Sequence, residues 1–76
     1  MSAVHSPLQA QVVQWQVEPG AAVQAGDLLV ILEAMKMEHE VRAAFAGRLG
    51  EVFFTAGELV ESGALLARIE PMGATA

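Results

Sequence analysis

Cysteine is absent from this 76-residue chain. No disulfide can therefore staple the fold, and no thiolate metal site can form. The two histidines, His5 and His39, are too few and too far apart in sequence to make a zinc site unaided. Basic residues are scarce as well, four against nine acidic, for a formal net charge of −5. Nucleic acid is thereby disfavoured as a partner, because its phosphates call for a cationic face. The acidic balance fits plain solubility, and equally contact with basic patches on larger partners. Long apolar runs are missing too. The longest aliphatic stretch, residues 28–32, has five residues, whereas a membrane span needs about 20. No basic segment followed by an apolar one opens the chain, so no secretory signal is expected. A reducing compartment fits the lack of cysteine.

What remains is enough for one domain. A chain this short buries only about 60% of its unfolded surface, so stability has to come from an apolar core, for which 54% hydrophobic residues supply the material.

The chain contains itself twice. Displaced by 37 positions, Gly20, Val23, Gly26, Leu28, Leu29 and Glu33 fall on Gly57, Val60, Gly63, Leu65, Leu66 and Glu70. Val17 falls on Phe54, Gln24 on Glu61 and Leu32 on Ile69, each keeping its character. Internal duplication is the economical explanation. Each half reads as an apolar strand, a glycine turn, a short V-x-x-G step and a second apolar strand.

Residues 11–17 ("QVVQWQV") set Val13, Trp15 and Val17 against Gln14 and Gln16, the period-2 pattern of a half-buried strand with Trp15 packed inward. Pro19-Gly20 closes it with a turn. Residues 28–33 predict a more deeply buried strand, and 47–54 and 64–70 repeat the scheme. Residues 38–42 predict a weaker strand anchored by Val41. The competing reading for 27–37 is a helix, since Leu, Ala, Met and Glu favour one. Against it, Val30 and Ile31 are β-branched and the repeat of this segment runs into Pro71. The expected fold is therefore all-β, a flattened barrel or sandwich of two antiparallel sheets with an internal pseudo-twofold. The expected boundaries are an N-terminal extension over 1–5, the domain over 6–70, and a flexible tail over 71–76.

Lys36 is the sole lysine. If 28–33 and 38–42 are antiparallel neighbours, Lys36 sits at or beside the tip of a tight hairpin. It also lies at the junction of the two copies, which places it near the pseudo-twofold axis. A lone lysine there is ordinarily a solubilising charge. Its neighbours are less ordinary: Met35 and Met37 stand where Gly, Asn or Asp are the usual turn residues. Being two apart, they share a strand face and can be buried while Lys36 is exposed. His39 is expected to be a plain surface residue rather than a proton relay.

With the duplication in place, "EAMKM" followed by "EHEVRAAFAG" resembles the biotinyl, or biotin carboxyl carrier, domain of biotin-dependent carboxylases. The likeness runs from about Ser6 to Glu70 and includes Ser6-Pro7, Pro19-Gly20 and the segments 25–37 and 56–70. Two positions depart from the pattern: Ala10 replaces a common glycine, and Ala21 replaces a common acidic residue. The spacing from Pro7 to Met35 leaves no room for the "thumb" insertion of some bacterial carriers, so the chain resembles the thumbless kind.

The resemblance implies covalent biotin on the ε-nitrogen of Lys36, installed by a biotin protein ligase from biotinyl-adenylate. Lysine amines are mostly protonated at neutral pH, and nothing in the sequence supplies a base, so the ligase has to. The resemblance further implies that a biotin carboxylase loads the cofactor and a carboxyltransferase unloads it onto an acceptor, an acyl-CoA or 2-oxo acid. Ala34, Met35 and Met37 match the flanking recognition motif, while Glu33, repeated at Glu70, suits a structural role. The domain itself would be a non-catalytic carrier, supplying position and reach, in the cytoplasm or, in a eukaryote, the mitochondrial matrix. Two alternatives stay open. One is a lipoyl carrier, although such domains typically have Asp before the lysine and Ala after it. The other is an unmodified β-sandwich that serves only as an interaction module.

Overall fold

Duplication at the level of residues becomes duplication at the level of strands. The computed structural model describes residues 2–71, which form eight strands and no helix. These are β1 (Ser2–His5), β2 (Ala10–Trp15), β3 (Ala22–Val23), β4 (Leu28–Ala34), β5 (Met37–Arg42), β6 (Gly47–Val52), β7 (Leu59–Val60) and β8 (Leu65–Pro71). An advance of 37 residues carries β2, β3 and β4 onto β6, β7 and β8, end for end, and β1 onto the last four residues of β5. One sheet has the order β1-β8-β6-β3 and the other β5-β4-β2-β7. Each is the other's copy, and every pairing is antiparallel.

The core is assembled from the same pairs. Val12 and Leu49, Val23 and Val60, Leu29 and Leu66, Val30 and Ala67, and Leu32 and Ile69 are all buried, each pair related by the repeat. Deep burial of such a side chain contributes about 1.5–3 kcal/mol. These five pairs, drawn from both sheets, belong to one continuous core that forms without any help from disulfides.

Three expectations need correction. Residues 2–5, set aside as an extension, form β1 and pair with β8, with Ser2 opposite Ile69. They carry no strong alternation, but the repeat makes them the counterpart of residues 39–42. Apart from Pro71, the expected tail lies outside the described residues.

The second correction is to β2, which does not alternate evenly. Its register with β4 slips between Val12 and Gln14, a bulge that adds one residue and re-aims those beyond it. Val12 is therefore buried and Val13 is 37% exposed, while Trp15 turns back to a half-buried position. Its Nε1 donates to the Phe54 carbonyl at 2.8 Å. The same slip recurs between Leu49 and Val52 in β6.

The third concerns the axis. β5 runs away from the hairpin tip, and its far end, at Val41 and Arg42, lines one cleft together with Ala3, Phe45 and Ile69. The closing end of β8 therefore lies a full strand from Lys36. Ala34, at the base of the hairpin, has its copy at Pro71, the closing residue of β8 in the other sheet, so the hairpin is at one extremity of the sandwich and not near its pseudo-axis.

The turns explain two departures seen in the sequence. Gly20 and its copy Gly57 have φ of 93° and 94°, where a side chain is strained. After Gly57, Glu58 accepts the Thr55 N–H at 2.6 Å; Ala21, its counterpart, cannot, and that turn relies on the Ala21 N–H to Glu18 carbonyl bond. At the head of β6, Gly47 leaves no space for a Cβ, which would collide with the Glu70 carbonyl and the Ile69 side chain. Its copy is Ala10, where a methyl group is accommodated.

Candidate functional site

The candidate site grows out of the connection between β4 and β5. Leu29, Val30 and Leu32 hold β4 in the core, and β5 pairs with it from Leu28–Arg42 up to Ala34–Met37. Only Met35 and Lys36 remain outside the ladder. A two-residue hairpin matches the strand twist when both residues have positive φ, and Met35 and Lys36 do, at 54° and 65°. Asn-Gly or Asp-Gly adopts this shape easily. Two long side chains do so under strain of the kind that gathers at functional sites.

The consequence is presentation. Met35 is 93% and Met37 63% exposed, so neither methionine is core. Lys36 is exposed and makes no hydrogen bond or ion pair with any described residue. Ala34, half-buried, packs against the core and pairs with Met37, which fixes the base of the tip. The structure therefore brings Ala34, Met35, Lys36 and Met37 together in one tight turn.

One step below, Glu33 and Glu38 lie opposite each other, both exposed. Like charges in register are mildly destabilising. Glu33 makes no side-chain bond with any described residue, so the structural role expected for it has no contact behind it. His39 is half-buried opposite Leu32 rather than fully exposed.

Chemically, the arrangement offers one primary amine at the end of a rigid lever, open to reagents from outside. Among the described residues no carboxylate or imidazole is hydrogen-bonded to it, so it accepts an acyl group only from a donor activated elsewhere. An amide formed there would meet no steric barrier from the fold. The residues thus fit a covalently attached prosthetic group.

The residues alone did not indicate a groove of about 550 Å³ beside the hairpin, lined among others by Leu8, Gln11, Lys36 and Leu59. Its one signal in the sequence is a break in the duplication, since exposed Leu59 copies onto Ala22.

Comparison with known proteins supplies the context. The family described as "Biotin-requiring enzyme" matches residues 2–69. The biotin-dependent acyl-coenzyme A carboxylase alpha3 subunit of Mycobacterium leprae is 43% identical over 68 residues, 90% of this chain and 11% of that subunit. The biotinylated protein TB7.3 homolog of the same organism is 38% identical over 66 residues, 87% of this chain and 93% of that protein. Among solved structures, the lipoyl domain of the 2-oxoglutarate dehydrogenase complex from Azotobacter vinelandii has a TM-score of 0.77 at 34% identity, over 86% of this chain and 82% of that one. The chain spans 6–11% of the length of the carboxylases and carboxylase subunits it matches.

Proposed function

The chain belongs to the biotin-requiring enzyme family, and from that membership we propose that it works as a biotin carboxyl carrier domain with Lys36 as the attachment residue. The observation that carries the assignment of Lys36 is its position: the sole lysine, unpaired among the described residues, at the exposed tip of a strained two-residue turn. Biotin, when bound, supplies a ureido nitrogen able to accept and give up a carboxyl group.

This chain's own part is mechanical and nucleophilic. The Lys36 Nζ attacks the activated acyl carbon of biotinyl-adenylate; the amide C–N bond forms, AMP leaves, and the amine's proton passes to a base of the ligase. Met35 and Met37 offer polarisable, adaptable thioethers to successive partners. Ala34 and the β4–β5 ladder hold the tip in place. The partners on this reading are a biotin protein ligase, a biotin carboxylase and a carboxyltransferase, with an acyl-CoA or 2-oxo acid as acceptor. The domain catalyses none of these steps. Among the described residues no helix is long and apolar enough to cross a membrane, and the proposed setting is the cytoplasm, or the mitochondrial matrix in a eukaryote.

The test is intact mass after incubation with biotin, ATP and a biotin protein ligase. The wild type should gain one biotinyl group and Lys36→Arg none. Gain on both would remove Lys36 from the site. The likeness to a lipoyl domain makes lipoate ligase the natural second arm; faster modification by that enzyme would reassign the cofactor, and no adduct from either would leave an interaction module.

A further inference from the structure

The groove beside the hairpin has two unlike walls. Its apolar lining includes Leu8, Leu59 and Met35. Leu59 is 76% exposed, an unusual place for leucine on a two-residue edge strand. The duplicated fold supplies an internal control. The same two-residue strand in the other sheet carries Ala22, also exposed, so strand pairing does not call for leucine here. The extra apolar surface belongs to the sheet that presents the amine.

The polar side is Gln11 and Glu33, register partners across β2 and β4. Gln11 Nε2 donates to the Gly57 carbonyl at 3.1 Å, which fixes the amide and leaves its Oε1 as an acceptor. The Glu33 carboxylate accepts no bond from any described residue. Two acceptors therefore stand side by side next to an apolar wall, and Lys36 itself lines the groove. In the other half the counterpart of Gln11 is Arg48, a cation with no acceptor.

We propose that this groove is the resting site of the group carried on Lys36. The aliphatic arm lies along Leu59 and Leu8, and the two ureido N–H groups donate to Gln11 Oε1 and the Glu33 carboxylate. The inference rests on the carrier reading above. Two features favour the chain's own arm over a separate ligand, and the volume admits it. Lys36 lines the groove, so the encounter is intramolecular and a weak contact is enough. Acylation removes the Lys36 charge, leaving a neutral arm beside an apolar wall. The volume lies within the range of small-molecule sites. The seated arm would be withdrawn from partners, which then engage only the fraction that has swung free.

The experiment uses ligase-biotinylated protein, its intact mass checked first, with isotope-labelled methyl groups. Nuclear Overhauser contacts are expected from the biotin rings to the methyls of Leu8 and Leu59. Leu59→Ala, which reproduces the residue tolerated at position 22, should keep the fold, lose these contacts, and be captured by streptavidin about threefold faster as the seated fraction falls. Biotinylated wild type without such contacts, and with the same capture rate as Leu59→Ala, would overturn the inference and leave the carrier role standing. No mass gain on the wild type would overturn both.

Discussion

Replacing Lys36 by glycine removes the amine and at the same time takes a side chain out of a left-handed backbone conformation. At φ 65° an L-residue is strained by about 1–2 kcal/mol, and glycine is not. Glycine in turn loses about 0.5–1 kcal/mol more conformational freedom on folding. The Lys36 side chain is exposed and unpaired among the described residues, so no contact with them is forfeited. The difference is a gain of roughly 0.5–1 kcal/mol, or about 2–8 °C in Tm for a domain of this size. Met35→Asn added to it completes the favoured Asn-Gly hairpin pair and should raise stability again. Lys36→Ala keeps a Cβ and the strain, and should match the wild type within about 0.5 kcal/mol. Urea denaturation of the wild type and these variants, with equal m-values, gives the comparison directly. If Lys36→Gly were no more stable than Lys36→Ala, the turn would not be strained as its dihedral angles imply. The expected result is a protein made sturdier by losing its proposed attachment residue.

Two further outcomes rest on the packing of the strands. Gly47→Ala drives a Cβ into the Glu70 carbonyl and the Ile69 side chain and should cost about 1–3 kcal/mol, while Ala10→Gly at the copied position costs under about 1 kcal/mol; equal effects would contradict the asymmetry of the two copies. Trp15→Phe leaves the Phe54 carbonyl without its 2.8 Å donor and should destabilise by about 1 kcal/mol, read by circular dichroism because the sole tryptophan is gone.

Much of the architecture was legible because the sequence states it twice. Turn glycines and core aliphatics recur at one offset, so a doubtful segment could be judged by its copy. The helix alternative for 27–37 failed on Pro71, a residue from the other half. What stayed hidden depends on backbone geometry rather than residue type. The bulge at Val13 flips the face of the residues beyond it, and "QVVQWQV" reads as even alternation with or without it. β1 is four residues with no strong alternation, visible only by carrying the repeat upstream to position 2. At the site, the spacing placed Lys36 on a hairpin, and the resemblance named its flanks. The left-handed angles of Met35 and Lys36 were not legible, since neither residue type favours them; nor was the exposure of both methionines, because period-2 spacing says which residues share a face and not which face is wet.

The hairpin and the strand ends Ser2 and Pro71 occupy opposite ends of the sandwich and different sheets. Any polypeptide joined at either end therefore grips the domain as one grips a handle, with the amine at the far tip of a stiff rod. A seven-residue strand measures about 23 Å, so the body adds that length to the reach of whatever holds it, and it does so without entropy of its own. A flexible segment of equal span would have to be stretched to cover the same distance. On the carrier reading proposed above, pivoting at the anchored end moves the amine through a wide arc, and the attached arm makes only the last small adjustment.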